Sequence, residues 1–449
     1  MGHRLNVILV KPPELSSLNF GCFSLAVLAS AIEDIANVII LDATNLKPEK
    51  AVQTILSSRP DILGITAMSV SSVEPICKLI RLLRKNGFQS SVLVGGHGAS
   101  VLPQPLLESG ADSVVYGEGE QTLREIILQG ISDNTAGLFI MRDGKILKTS
   151  PRQLIDLDTL VLPGKKWIPT SKDALYLLET SRGCPHRCRF CETSIFFRNT
   201  WRSRSPEKVV KDIESLVDRG ALIIQITDDN FTANPKRAIK LCSELENRNL
   251  PLFFVFSARS DDLFNYPELI PSLAKSNFLR AAIGVETPDE KMNQQIGKGI
   301  SLEQHRLAFD GMRKAGIYTV ASFIVGLPDE TEQTRQNYVN IACELADSAT
   351  FVPFLPLPGT EMANAAGSVK PQQWSLECAA KLTREFRQNP KNIERLLQAA
   401  KEPSIRGMLA TRSLRKRIDE NIIDNQVIDR INRTIDWINS DGSQQQANK

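Results

Sequence analysis

The sequence predicts an α/β protein in three parts: an N-terminal doubly wound parallel sheet, a partial barrel of six β/α units, and a helical C-terminal extension. Three observations predict it. Residues 1–130 alternate short apolar runs with amphipathic ones, the pattern of strands separated by helices. The same alternation restarts at Leu175 and runs through six units. Beyond residue 371 the chain is charged and helical in pattern. A chain of 449 residues holds about three domains at roughly 150 residues each.

In the first domain, 1–135, the candidate strands are Leu5–Val10, Val38–Leu41, Ile62–Ala67, Val92–Val94 and Ser113–Tyr116. A helix is expected over Pro75–Lys85, with Ile76, Leu79, Ile80 and Leu83 on one side. Ligands of such sheets bind at the carboxyl ends of strands. Those ends here read Lys11-Pro12-Pro13, Thr66-Ala67-Met68-Ser69, Gly95-Gly96-His97-Gly98 and Gly117-Glu118-Gly119-Glu120. Residues 136–173 read as a hairpin and a linker. Leu138–Met141 and Ile146–Leu147 flank Asp143-Gly144, a favoured turn pair, and Pro151, Pro163, Gly164 and Pro169 follow with little periodicity.

The barrel domain is expected over 174–370. Its candidate strands are Leu175–Leu178, Leu222–Ile226, Leu252–Phe256, Ala281–Val285, Thr319–Val325 and Thr350–Phe354. One helix starts at Ser205-Pro206-Glu207, a cap followed by proline at the first helical position. Another starts at Ser301 with Gln304 three residues on, a capping-box pattern. The extension, 371–449, is expected to cover the barrel opening, shape the substrate site or simply dock on the barrel. Its tail from Ser440 is expected to be disordered.

Composition narrows the function. Fifty-four basic residues balance 51 acidic ones, so no clustered basic excess calls for a nucleic-acid partner. No apolar run reaches the roughly 18 residues of a membrane span, and the short run Leu5–Val10 does not read as a targeting segment. Cytoplasmic residence is the expectation. Five of the eight cysteines (22, 77, 242, 343 and 378) sit singly in apolar patterns as small core residues. The other three, Cys184, Cys188 and Cys191, share the loop after the first barrel strand, in the spacing C-x3-C-x2-C. Clustered cysteines in a long cytosolic chain suggest metal, not disulfides. Three thiolates on one tight loop suit three irons of a [4Fe–4S] cubane and leave the fourth open. Zinc, with His186 or a distant fourth ligand, is the alternative, but zinc sites usually pair cysteines twice and no second pair is present.

The loop Ser181-Arg182-Gly183-Cys184-Pro185-His186-Arg187-Cys188-Arg189-Phe190-Cys191 resembles the signature of the radical S-adenosylmethionine superfamily. So, in order and spacing, do Arg202–Glu207, Thr227-Asp228-Asp229-Asn230-Phe231, Phe323–Thr331 and Pro358-Gly359-Thr360-Glu361. The N-terminal sheet ending in Gly117-Glu118-Gly119-Glu120 resembles the cobalamin-binding domain of one large branch. This resemblance implies a cluster on Cys184, Cys188 and Cys191 whose open iron chelates S-adenosylmethionine, and a 5′-deoxyadenosyl radical. It implies that Thr227, Asp228 and Asp229 face the methionyl amino group, Arg259 with Ser257 the carboxylate, Glu286 the ribose, and Gly326 and Phe190 the adenine. For cobalamin it implies a nucleotide tail cradled by Ser69, Gly95 and Gly96, near Gly117 and Glu118. The D-x-H-x-x-G motif of many such domains is missing. His97 remains as either a cobalt ligand or a turn residue. The resemblance further implies a flavodoxin or ferredoxin as electron donor and a small molecule or biosynthetic intermediate as substrate. Methyl transfer through methylcobalamin to an unactivated carbon leads. Ring closure or rearrangement with the same cofactors, and a non-catalytic iron–sulfur sensor, stand as alternatives.

Overall fold

The computed structural model describes residues 4–13, 22–168, 174–363, 371–402, 404–420, 428–429 and 432–433. Glu14–Ser17 of the first loop, Pro169 of the linker and the tail from Ser440 lie outside the described residues. The chain divides into two compact units. The first takes residues 1–172 with Glu192–Ser205 and Leu357–Thr360; the second takes the remainder. Glu192–Ser205 therefore belongs with the first unit, although the sequence reading put it in the barrel.

In the first unit, β1 (Leu5–Lys11), β2 (Ala36–Asp42), β3 (Ile62–Thr66), β4 (Ser91–Gly95) and β5 (Ser113–Val115) form a parallel sheet. Their order is β2-β1-β3-β4-β5. This is a doubly wound sheet, with its switch point between β1 and β3. Composition explains the order. Central β1 and β3 are buried along nearly their whole length, as strands covered on both faces must be. Edge strand β2 alternates buried and exposed residues at its start. Helix Val73–Lys85 buries Ile76, Leu79, Ile80 and Leu83 as the periodicity requires. The hairpin forms as β6 (Leu138–Arg142) and β7 (Lys145–Lys148). It does not stand apart as a connector. It extends the sheet antiparallel to β5, with Leu138 opposite Val115, and Asp143 and Gly144 turn at positive φ.

In the second unit six parallel strands lie side by side. These are β8 (Leu175–Leu178), then β9 (Ile223–Ile226), β10 (Phe253–Ala258), β11 (Phe278–Glu286), β12 (Tyr318–Val325) and β13 (Ser348–Pro353). Their spatial order follows the sequence, and β8 and β13 remain edges, so the sheet is an open barrel. Helix Pro206–Val217 buries Val209, Val210, Ile213 and Leu216, and the capping box at Ser301 and Gln304 is fully formed. No described helix is long and apolar enough to cross a membrane.

The C-terminal extension divides between the two ends of the barrel: Ser375, near the start of its first helix, lies beside Gly326 just past the end of β12. Helix Gln373–Gln388 packs on β13. The helices Pro390–Ala400 and Ile405–Asp419 share an apolar cluster with Tyr318 and Val320, at the start of β12. Asp347, just before β13, is fully buried and binds Arg406 at 2.8 Å. Arg417 donates to Asn392 Oδ1 at 2.5 Å and to the Arg387 carbonyl at 2.9 Å. These last two helices therefore close the end where the strands begin. The cysteine loop leaves from the other end, where the strands finish. The last two helices do not cover the barrel opening.

Candidate active site

The barrel-mouth positions expected from the sequence lie at or just past the ends of β8 to β12. The loop carrying Cys184, Cys188 and Cys191 leaves the end of β8. None of the three is in a disulfide, all are half-buried, and the Cys191 amide donates to the Cys188 carbonyl at 3.1 Å. Burial pushes the Cys184 thiol up to about 11, so iron must displace its proton on binding. Burial and the neighbouring Arg259 charge push His186 down to about 4, leaving it neutral.

Arg189 anchors the loop. Its amide donates to the Ile296 carbonyl at 2.9 Å, its Nη1 to the Gln295 carbonyl at 2.9 Å, and its Nε to Glu361 at 2.8 Å. Gly297 allows this approach. It has φ +72°, and a Cβ there would lie 3.2 Å from the Arg187 carbonyl. Phe190 packs against an apolar cluster that includes Ile296, Ile324, Leu327 and Phe354.

The expected cofactor contacts divide into exposed and buried positions. Thr227 and Asp229 end β9 with exposed side chains, and Asp229 accepts from the Gly183 amide at 3.1 Å. Ser257 is half-buried on β10. Asp228 turns the other way and is fully buried. It accepts from the Thr180 amide at 2.7 Å and from the Thr180 and Ser181 hydroxyls at 2.6 Å each. Burial raises its carboxyl above the usual range, although these donors oppose the rise. Its surroundings make it a brace for the segment leading into the cysteine loop, not a ligand of the methionyl amine.

Arg259 is likewise committed. Its Nε and Nη2 grip Asp261 at 3.0 and 2.9 Å, Nη2 also donates to the Lys298 carbonyl at 3.2 Å, and Nη1 reaches Cys188 Sγ at 3.6 Å. Glu286 ends β11 at a bulge with φ +71° and pairs with Lys298 at 2.9 Å. Gly284 leaves room there for the ion pair, because a Cβ would fall 2.1 Å from Glu286 Oε1 and one of the two side chains would have to move. Gly326 has φ +89°, donates its amide to Glu330 at 2.5 Å and makes room for Ser375. Packing thus accounts for the glycine as fully as an adenine would.

Asp261, Lys298, Thr180 and Ser181 were missed from sequence. Lys298 had a readable signal, since it sits between Gly297 and Gly299, both at positive φ.

In the first unit, Gly96 and Gly98 serve a close backbone approach. A Cβ would lie 2.6 Å from the Ala67 carbonyl at Gly96 and 2.1 Å from the Ser69 carbonyl at Gly98. Gly95 accepts from the Ala67 amide at 2.7 Å. These contacts tie the ends of β3 and β4 together. Ser69 Oγ lies 2.6 Å from Ser71 Oγ. Gly117, at φ +74°, has open space where a Cβ would be, and Ser100 Oγ accepts from its amide at 3.2 Å. Glu118 does not face a ligand: it binds Arg202 at 2.6 Å and the Ile155 amide at 2.9 Å. His97 stacks on Phe196 at 3.8 Å, and burial pushes it down to about 4. It is a packing residue here.

The donor set fits a cubane. Among the described residues no three His, Cys, Asp or Glu side chains converge on one point for a single metal ion. A cubane needs no such convergence, since each of its three irons takes a separate thiolate. Three cysteines outside any disulfide on a pinned loop, at the ligand-binding end of an open parallel barrel, define a radical S-adenosylmethionine protein; a doubly wound sheet with glycine-built strand ends accompanies it.

Comparison with known proteins agrees. Residues 178–342 match the radical SAM superfamily and residues 22–127 the B12 binding domain. An uncharacterized methyltransferase of Pyrococcus horikoshii is 30% identical over 386 residues, 80% of this chain and 82% of that protein. The anaerobic magnesium-protoporphyrin IX monomethyl ester cyclase of Rubrivivax gelatinosus is 30% identical over 354 residues, covering 74% of this chain and 63% of that one. The radical S-adenosylmethionine methyltransferase TsrM of Kitasatospora setae, solved with tryptophan substrate and a SAM analog, aligns with a TM-score of 0.68 at 20% identity. The alignment covers 81% of this chain and 76% of that one, a likeness of fold. The chain belongs to the radical S-adenosylmethionine superfamily, in the group with a B12-binding domain, and its cofactors are a [4Fe–4S] cluster, S-adenosylmethionine and cobalamin.

Proposed function

We propose that this chain is a cobalamin-dependent radical methyltransferase that methylates an unactivated carbon of a small-molecule biosynthetic intermediate. The observation that supports it most is the presence, in one chain, of a B12-type sheet and an open barrel bearing three cysteines at its strand ends. When bound, the cluster supplies the electron that cleaves S-adenosylmethionine, and cobalamin carries the methyl group.

The chain's own residues bind and orient. Cys184, Cys188 and Cys191 would hold three irons and leave the fourth for the amino and carboxylate groups of S-adenosylmethionine. Asp229 and Thr227 stand at the mouth to meet the amine, with Ser257 beside the carboxylate. Glu286, fixed by Lys298, would accept from ribose hydroxyls. Asp228 and Arg189 hold the loop rigid, and Phe190 with its apolar neighbours keeps water from one side of it. Ser69, Gly95, Gly96 and Gly117 would line the cobalamin side. We place the enzyme in the cytoplasm, reduced by a flavodoxin or ferredoxin and without a nucleic-acid partner.

The test is anaerobic reconstitution with iron, sulfide and cobalamin, then mass spectrometry of products from candidate substrates with methyl-labelled S-adenosylmethionine. A product carrying the label is expected. Protein that binds iron and sulfide but no cobalamin overturns methyl transfer. A changed product without an added methyl would favour ring closure, the reading to which the Rubrivivax cyclase points. Failure of the reduced protein to form 5′-deoxyadenosine would leave a non-catalytic sensor.

A further inference from the structure

We propose that Arg259 is a positioning residue for the iron–sulfur cluster: it hydrogen-bonds the Cys188 sulfur and raises the cluster's reduction potential, instead of binding the carboxylate of S-adenosylmethionine. This rests on the cluster reading above.

The argument begins with donors. A guanidinium has five N–H groups in a fixed plane, and it recognises carboxylates best with two parallel ones. In Arg259 the Nε–Nη2 edge already holds both oxygens of Asp261, at 3.0 and 2.9 Å. The second Nη2 donor goes to the Lys298 carbonyl at 3.2 Å. One fork is filled, and the other has lost half its donors. What remains is Nη1, and it lies 3.6 Å from Cys188 Sγ.

The side chain is 7% exposed, so solvent competes little for that donor. Asp261 stays ionised: burial disfavours its charge, but the Arg259 fork holds the carboxyl below the usual range. Arg259 is therefore held on two sides, with its remaining amino group aimed at a thiolate that ligates iron. Lys298, whose carbonyl Arg259 holds, has its own charge paired with Glu286 at 2.9 Å.

Hydrogen bonds to cluster sulfurs and nearby charge set cluster potential. A donor on a ligating sulfur stabilises the reduced state, which carries one more negative charge. Asp261 acts only through Arg259 by fixing its direction.

The experiment compares wild type, Arg259→Gln, Arg259→Lys and Asp261→Asn in the full chain, reconstituted anaerobically without S-adenosylmethionine. Iron and sulfide content are measured first. The midpoint potential is then read by redox titration of the reduced cluster's electron paramagnetic resonance signal. Affinity of the oxidised cluster form for S-adenosylmethionine is measured by equilibrium dialysis.

Arg259→Gln is expected to lower the reduced-to-oxidised ratio at the wild-type midpoint by about tenfold, a shift of about 59 mV for one electron. Affinity for S-adenosylmethionine should stay within about twofold. Arg259→Lys should recover part of the shift, since it keeps charge without the fixed fork. An unchanged midpoint, with or without a tenfold loss of S-adenosylmethionine affinity, overturns the proposal. Should Arg259→Gln lose its cluster, Asp261→Asn decides: it keeps the Arg259 charge, frees its direction and removes one negative charge, so a lowered midpoint is expected if direction matters, and a midpoint equal to or above wild type overturns the proposal. A wild-type chain that takes up no cluster would overturn the proposed function as well, which separates the two failures.

Discussion

Replacing Asp228 by asparagine and by alanine separates a structural brace from a cofactor ligand. The carboxylate accepts three buried hydrogen bonds, from the Thr180 amide and the Thr180 and Ser181 hydroxyls, at 2.6–2.7 Å. Hydrogen bonds to a charged group contribute about 1.5–3 kcal/mol each. Their sum is offset by the cost of burying the carboxylate, which raises its pKa. A net loss of about 3–4 kcal/mol is expected for Asp228→Ala, which strands all three donors.

Asparagine behaves differently. Its carbonyl can keep the Thr180 amide, and its amine can donate to both hydroxyls, because a hydroxyl accepts as well as donates. Asp228→Asn should cost about 1 kcal/mol or less. Hydrogen exchange at the Thr180 amide reads this directly: protection should fall by about 10²–10³ in the alanine variant and less than about tenfold in the asparagine variant. The pH dependence carries its own sign. A carboxyl with a raised folded-state pKa contributes stability that is fully present below its unfolded pKa and lost as pH rises through the folded value. The advantage of wild type over Asp228→Asn should therefore shrink as pH rises through that range. If the asparagine variant loses S-adenosylmethionine affinity as severely as the alanine variant, the charge itself is needed by the methionyl amine and the brace argument is wrong.

Gly284→Ala places a methyl 2.1 Å from Glu286 Oε1 and 2.8 Å from Lys298 Nζ, so it must part a buried ion pair. We expect a loss of about 3–5 kcal/mol in local stability or, if Glu286 swings away, a several-fold loss of S-adenosylmethionine affinity; hydrogen exchange and equilibrium dialysis check the two, and wild-type values in both refute it. Asp347→Ala takes the buried partner from Arg406, leaving it only the half-exposed Glu402, and strands the Thr319 amide; together these should cost about 3–5 kcal/mol. The double variant Asp347→Leu/Arg406→Met should recover much of it. Exchange protection across Ile405–Asp419 measures both, and an Asp347→Ala effect below about 1 kcal/mol would refute the anchor role.

Much of this was legible from the chain alone, because it depends on local spacing. The six barrel strands and five parallel strands of the first sheet follow from apolar runs. The Ser301–Gln304 cap and the hairpin turn at Asp143-Gly144 follow from turn and cap chemistry a few residues wide. The cysteine triad belongs to the same class, since three ligands in eight positions need no tertiary fold to be recognised as a set. Periodicity and spacing therefore determined the architecture and the cysteine set, and the resemblance of the motifs supplied the family.

Partner choice among the polar groups at the strand ends needed three dimensions. Asp228, Arg259 and Glu286 all lie at the barrel mouth where the sequence placed them. Their occupants are Thr180 and Ser181, Cys188 with Asp261, and Lys298. Glu118 meets Arg202 from 84 positions away. His97, a candidate ligand in sequence, stacks on Phe196. A strand end specifies that a polar side chain reaches the mouth. Whether it meets cofactor or protein depends on which distant segment comes within about 3 Å of it, a distance that periodicity does not encode. The placement of the last helices at the starts of β12 and β13 is of the same kind. Their apolar stripe was plain, but only the packed core shows that Tyr318 and Val320, not the barrel mouth, receive it.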